Sequence, residues 1–442
     1  MLFANVCRGG ALRMPAAASV RRTMPVRASA VLGQLKHYST EFDLNRDTAM
    51  YKQKPPAPGE DFRVLIVGAG NIMFGSDEGP WNHSFRLEHK LGPRLKVTAL
   101  VDPNSERSKQ TLHFKNNSFV TPAYKDTEVY PDLQSYLANL SDDKRPHAVW
   151  VGSPPAFRGR LEKGRDLEIQ LSNALPGTAM FIEKPISTGP VEEVLRVGEQ
   201  LRERAGLVGV GYMLRYLKVV QKMKQILEEK QLKVKAINAR YIMAYEHLAK
   251  YWWWNKQDSL GPVIEQATHF CDLSRYFGGD VDLSTVLAHS LEYFEPAGSL
   301  NKLAIDENRI APEDRVPRAT GAVYKFKNGA VGSLMHVVAL HGTDFATELD
   351  VYADGYSLRL FDPYNNPTLY VRSPGDDHEE IIRYASDDPF YTEVSNMIDC
   401  IEHGDKAAPV LSTYEDAAQT YALTWAIRLA SERSAQAYKA AA

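Results

Sequence analysis

The sequence predicts an α/β protein in two parts. The first is an N-terminal doubly wound parallel sheet; the second is a C-terminal α/β domain with an open, mostly antiparallel sheet. Three observations predict this. An apolar, β-branched run, Arg63-Val64-Leu65-Ile66-Val67, leads directly into Gly68-Ala69-Gly70. From there to about residue 212, strand-like apolar runs alternate with helical spacings. After about residue 230, the pattern changes to period-two segments joined by hairpin-type turns.

The first run is apolar throughout, which suits a strand covered on both faces. Gly68 permits a tight turn, and Gly70 lets a phosphate approach the backbone. Gly68, Gly70, Asn71 and Ile72 are therefore candidate cofactor-binding residues. The third position of this fingerprint is Met73, not Gly or Ala, so the following helix must pack differently on the strand. Residues 74–82 are polar and contain Gly and Pro, and read as an insertion before a helix over about 81–91. The second strand, 96–101, ends in Asp102. An acid there hydrogen-bonds the adenosine ribose and repels a 2′-phosphate, favouring NAD, although nearby Arg107 leaves NADP open. The glycine-to-acid spacing exceeds the usual ~20 residues, and the insertion accounts for the excess.

Alternation continues with a helix over 132–140 and a buried strand over 147–152, stopped by Ser153-Pro154-Pro155. Helical spacing follows over 161–175. A strand over 180–182 leads into Glu183-Lys184-Pro185. Residues 191–204 form a helix with Glu192 and Glu193 in its first turn, where the dipole favours acids. The last short strand is 207–210. In such sheets ligands bind at the carboxyl ends of the strands. Gly68, Asp102, Pro154, Lys184 and Tyr212 all fall at or just after such ends. The result is a dinucleotide-binding Rossmann domain over 60–212, preceded by a leader and linker over 1–55. A cation beside a nicotinamide can polarise a substrate oxygen, so Lys184 points to hydride transfer.

Gly261-Pro262 starts a helix, because Pro suits a first turn. Glu265 and His269 are four apart and so share one helix face, with Asp272 three residues beyond. A carboxylate one turn from an imidazole orients it and stabilises its cation. Tyr212 and Arg215 either line the substrate side or pack a domain interface. Trp252-Trp253-Trp254 either stacks on a ring-shaped substrate, with Trp253 as the candidate, or seals an interface.

These motifs resemble the Gfo/Idh/MocA family (glucose–fructose oxidoreductase and inositol dehydrogenase), most of all its fungal members. The resemblance covers nearly everything after about residue 60. It rests on the glycine turn, Ser153-Pro154-Pro155, Glu183-Lys184-Pro185, the segment Gly211 to Tyr216, the segment Gly261 to Asp272 and a terminal helix over 414–431. It implies that Lys184 and His269 flank the carbon that exchanges hydride, with Glu265 as the third catalytic group. Inositol-dehydrogenase-like members carry Asp at that position; the longer Glu265 keeps the charge but moves it. The resemblance also places Ser153, Pro154, Glu183 and Lys184 against the cofactor, and Tyr212, Arg215, Trp253 and Asp272 on the substrate side. It packs the last helix, within 409–442, back on the nucleotide domain.

Residues 213–408 read as the second domain. Strands are expected over 234–244, 285–293, 319–326, 330–339, 348–353 and 357–361. Lys327-Asn328-Gly329 and Ala353-Asp354-Gly355 serve as hairpin turns. The polar stretch from the 290s to 318 reads as a mobile loop. Helices over 389–402 and 414–432 close the chain. A large flat sheet face needs cover, which predicts a homo-oligomer formed through the C-terminal sheet.

Composition narrows the class. Net charge is −3, which gives no pull towards nucleic acid or an anionic membrane surface. Cys7, Cys271 and Cys400 are scattered, without metal spacing or a disulfide framework, so no metal is expected. No apolar run reaches the roughly eighteen residues of a membrane helix. Residues 1–40 carry Arg8, Arg13, Arg21, Arg22, Arg27 and Lys36 with no acid before Glu41. That composition matches a mitochondrial transit peptide and predicts the matrix; a disordered extension or a start at Met50 would leave the protein cytoplasmic. The function expected is an NAD- or NADP-dependent dehydrogenase or reductase acting on a sugar, cyclic polyol or related small molecule. The alternatives are a non-catalytic dinucleotide-binding regulator and a glycoside hydrolase that uses NAD transiently.

Overall fold

A computed structural model describes residues 60–76 and 79–441. The leader, and the targeting expected from it, lie outside the described residues. Six parallel strands form the first sheet: β1 (Phe62–Val67), β2 (Leu95–Val101), β3 (Glu128–Tyr130), β4 (Ala148–Val151), β5 (Ala179–Ile182) and β6 (Val208–Val210). Their order is β3-β2-β1-β4-β5-β6. The order reverses between β1 and β4, which opens a crevice at their carboxyl ends. β1 reads as continuously apolar because both of its faces are covered. Val64 and Ile66 enter one core layer, and Leu65 and Val67 the other.

Besides a single turn at Thr121–Tyr124, the helices of this half are α1 (Asn71–Phe74), α2 (His83–Leu91), α3 (Ser105–Asn116), α4 (Leu133–Asn139), α5 (Leu167–Ala174) and α6 (Val191–Arg204). The helical spacing over 161–175 yields only α5. Gly164 lies inside the expected helix at φ +88°, which a right-handed helix excludes. Its N–H is donated instead to the Asp166 carboxylate at 2.9 Å.

The second sheet has eight strands: β7 (Val234–Ala244), β8 (Val281–Leu291), β9 (Ala319–Phe326), β10 (Val331–Leu340), β11 (Ala346–Ala353), β12 (Tyr356–Phe361), β13 (Thr368–Arg372) and β14 (Glu379–Arg383). Their order is β14-β13-β12-β11-β7-β10-β9-β8. β7 and β10 run parallel, and every other neighbouring pair is antiparallel. One face is covered by α7 (Lys218–Glu229) and α8 (Thr268–Gly278), which share its core. The other face leaves Val323, Val331 and Met335 exposed.

Two closing helices tie the halves together. α9 (Pro389–His403) follows the second sheet in sequence, yet Val394, Met397 and Ile398 enter the core of the first. The division at residue 408 therefore splits the nucleotide domain's own core. In α10 (Tyr414–Ala441), Tyr414, Ala417, Ala418 and Tyr421 join the first core. Further along, Leu423, Ile427 and Ala430 join the second. The stretch expected to be a mobile loop is instead pinned by buried Arg318. Its guanidinium donates to the carbonyls of Gly298 (3.0 Å) and Val316 (3.2 Å) and to Glu307 (2.6 Å).

Candidate active site

The glycine turn after β1 is pressed against the turn after β4. Gly68 has φ +102°, and a Cβ there would lie 2.8 Å from the Ser153 nitrogen, so only glycine fits. Gly70 differs: a Cβ there would meet nothing within 4 Å. Its surroundings are open, and the N–H groups of Asn71 and Ile72, at the start of α1, have no intrahelical acceptor. Met73 is fully buried and takes over the packing that a third glycine would allow. Its Cε comes within 2.9 Å of where a Cβ on Gly152 would stand, so the small residue sits on the strand side of the contact.

Asp102 accepts the Ala69 N–H through Oδ2 at 2.7 Å and the Asn104 N–H through Oδ1 at 2.7 Å. The carboxylate is thereby fixed at the end of β2, with lone pairs left over for ribose hydroxyls. The Ser153 hydroxyl is buried without a partner. Open backbone at Gly70, free N–H groups, a fixed carboxylate and an orphaned hydroxyl together fit a dinucleotide.

Lys184 stands just past β5. Its Nζ donates to the Glu265 carbonyl at 3.1 Å and lies 3.9 Å from the Glu265 carboxylate. Trp253 Nε1 donates to the other oxygen of that carboxylate at 3.0 Å. Trp253 is thus buried and fixes Glu265, while Trp252 is exposed. His269 is buried with Nδ1 unpartnered, its ring edge-on to Tyr212 at 5.8 Å and to Tyr364 at 6.3 Å. Burial holds its pKa well below the ordinary histidine value, and the charge of Lys184 lowers it further. The imidazole is therefore neutral.

Four site expectations need correction. Glu265 and His269 do not share one helix face. A single turn, Pro262–Glu265, ends at Gln266, and α8 restarts at Thr268. The two groups reach the site from separate turns. Asp272 does not orient His269, nor is it free to meet substrate. It is buried and takes both Arg215 Nε (2.7 Å) and Nη2 (2.6 Å), with the Thr420 hydroxyl at 3.0 Å. Arg215 is committed in the same way: it also pairs with Asp416 at 2.6 Å and donates to the Leu411 carbonyl. Glu183, expected against the cofactor, accepts His83 Nε2 at 2.6 Å and the Lys184 N–H at 3.2 Å within the core. Tyr212 is buried beside Thr268, with its hydroxyl 2.9 Å from the threonine Oγ1.

The sequence reading also missed residues that the fold brings in. His336 Nε2 lies 3.0 Å from Gln266 Oε1, and its ring stacks on Tyr241 at 5.3 Å. Burial pushes the His336 pKa down to about 3. The available signal was a polar residue at an inward position of a period-two strand. Among the described residues, no group of three His, Cys, Asp or Glu side chains can hold a metal ion. No described helix is long and apolar enough to cross a membrane.

Comparison with known proteins agrees with this fold. The oxidoreductase family, NAD-binding Rossmann fold (GFO_IDH_MocA) matches residues 62–212, and an oxidoreductase C-terminal domain matches 215–356. An uncharacterized Schizosaccharomyces pombe protein is 44% identical over 379 residues, covering 85% of this chain and 93% of that one. An inositol 2-dehydrogenase/D-chiro-inositol 3-dehydrogenase of Halalkalibacterium halodurans is 29% identical over 168 residues, 38% of this chain and 40% of its own. Among solved structures, a levoglucosan dehydrogenase in complex with NADH and L-sorbose superposes with a TM-score of 0.64 at 16% identity, covering 85% of this chain and 98% of that one. The chain belongs to the Gfo/Idh/MocA oxidoreductase family, and its first domain is an NAD-binding Rossmann fold.

Proposed function

We propose that this protein is an NAD(P)-linked dehydrogenase or reductase that interconverts a hydroxyl and a carbonyl on a sugar, cyclic polyol or related ring. The observation that carries the proposal is the meeting of Lys184, Glu265 and a neutral His269 where β5 ends. When bound, the nicotinamide accepts or returns the hydride. In the oxidative direction, His269 takes the hydroxyl proton on its bare nitrogen while the Lys184 ammonium stabilises charge developing on that oxygen. The C–H bond breaks with its electron pair leaving as hydride, and the C=O bond forms. In the reverse direction His269 returns the proton. Glu265, fixed by Trp253, keeps the ammonium aimed at the site. Tyr364 stands edge-on to His269 at 6.3 Å, in keeping with sites that pair apolar surface with a few placed polar groups. The relatives that act on inositol and levoglucosan support this substrate class.

The test is a spectrophotometric screen of the purified protein. NAD+ and NADP+ would be offered with myo-inositol, D-glucose and levoglucosan, and NADH with L-sorbose. At least one pair should change the absorbance of reduced nicotinamide catalytically. Tight binding of NADH without turnover of any polyol, aldose or ketose would instead favour a non-catalytic regulator.

A further inference from the structure

One buried hydrogen-bonded pair, His83 and Glu183, adjoins Lys184 and plays no part in the proposed chemistry. His83, the first residue of α2, is fully buried. Its Nε2–H donates to Glu183 Oε1 at 2.6 Å. Its ring stands edge-on to Phe181 at 5.0 Å and Phe390 at 6.2 Å.

Glu183 is held at every polar atom. Its N–H donates to the Val151 carbonyl at 3.0 Å. Its carbonyl accepts Arg158 Nη2 at 2.5 Å, and the same guanidinium donates through Nε to the Ser153 carbonyl at 2.9 Å. Its second carboxylate oxygen accepts the N–H of Lys184 at 3.2 Å. On the remaining side, a Cβ on Gly211 would lie 2.9 Å from Oε1.

Burying a carboxylate against an imidazole is costly, and an apolar pair of similar volume is often as stable. What the polar pair adds is direction: it fixes one carboxylate oxygen at hydrogen-bond distance and angle. We propose that His83 is a positioning residue for the reaction: by holding Glu183, it sets where Lys184 stands relative to the nicotinamide and substrate. α2 follows the polar segment 74–82 after the glycine turn. The pair therefore links the flank of the cofactor turn to the polarising cation. The proposal rests on the reading of Lys184 as that cation.

The test compares His83→Phe, which keeps an aromatic ring but has no donor, with His83→Gln, which restores a donor. Gly211→Ala disturbs the same carboxylate from the opposite side and leaves the imidazole in place. The glycine is not at positive φ, so alanine can adopt its backbone. Turnover would be followed as NAD+ reduction by myo-inositol or another sugar found in the screen. Cofactor binding would be followed by NADH fluorescence titration. His83→Phe and Gly211→Ala should each lose about ten- to hundred-fold in kcat, the scale of a misplacement near 1 Å, with NADH affinity nearly unchanged. His83→Gln should recover most of the loss. In a Lys184→Ala background, His83→Phe should cost little more, because its effect acts through that lysine. Crystal structures of the two variants should show Nζ displaced from the Glu265 carbonyl. If His83→Phe fails to fold, Gly211→Ala decides. Normal turnover, additivity with Lys184→Ala, or an undisplaced Nζ overturns the proposal. A fully active Lys184→Ala would instead sink the reading of Lys184 on which it rests.

Discussion

His269 and Asp272 stand three residues apart on α8 and meet opposite fates. The Asp272 carboxylate is bound by Arg215 and Thr420, and these contacts connect α8 to α10. His269 has an unpartnered Nδ1, and the charge of Lys184 acts on its ring. Leaving a buried polar atom unpaired costs of order 1–3 kcal/mol. The chain accepts that cost at the histidine and avoids it one turn later. The difference separates the two regions. Paired buried charges hold the seam that joins the two sheets, whereas the neutral His269 ring lies within reach of the Lys184 charge.

Substitution should make the two regions answer in different assays. Lys184→Ala and His269→Ala should each lower kcat by about a hundred- to ten-thousand-fold, with melting temperature and NADH binding close to those of the parent. Asp272→Asn should do the reverse. It leaves Arg215 with Asp416 as its remaining carboxylate partner, so the cost should fall below the ~3–5 kcal/mol of breaking an isolated buried pair. The variant should melt below the parent but retain kcat per folded molecule. A destabilised His269→Ala, or a stable and inactive Asp272→Asn, would break the comparison.

Acidity sharpens it further. A solvated histidine is half protonated near pH 6.5. Burial, and then the Lys184 charge, oppose protonation of His269 in the folded state. The acid limb of kcat/KM in the oxidative direction should therefore lie below that pH. In the unfolded chain the same histidine takes up its proton near 6.5, so below that pH the unfolded state binds more protons and stability falls. Measured against His269→Gln, the parent should lose up to about 1.4 kcal/mol per pH unit as pH drops below about 6.5. A parent and variant whose stabilities run parallel from pH 7.5 to 5.5 would contradict this.

Five strands of the parallel sheet were legible because they carry their signal locally, whereas the three-residue β3, Glu128-Val129-Tyr130, has no apolar run and was not. Apolar runs end in glycine, Asp102 or Lys184, and each lies at a strand end in the structure. The edge strands β13 and β14 were not legible, since β14 is largely exposed and shows no period-two pattern. Within the site, spacing puts Glu265 and His269 on one helix face, and only the family resemblance brings them to Lys184. The break at Gln266 instead sends Glu265 to Trp253. The partners of Asp272 and Glu183 lie 57 and 100 residues away. Pairings of that range leave no periodic trace in a single sequence.

The smallest effect concerns the choice of cofactor. Asp102 is fixed by two backbone N–H groups, one from the glycine turn itself. Its position and charge suit ribose hydroxyls and oppose a 2′-phosphate. NADH should therefore bind more tightly than NADPH, as read by fluorescence titration. Asp102→Asn removes the repulsion and weakens the ribose contact. NADH affinity should fall by about tenfold, near 1.4 kcal/mol, while NADPH affinity holds or rises, so the gap narrows. Asparagine has only one acceptor oxygen and must release either the Ala69 or the Asn104 N–H. A modest drop in melting temperature should accompany the change, and the titration should be made well below that temperature. A parent that binds NADPH more tightly would show that Arg107, not Asp102, governs the end of β2.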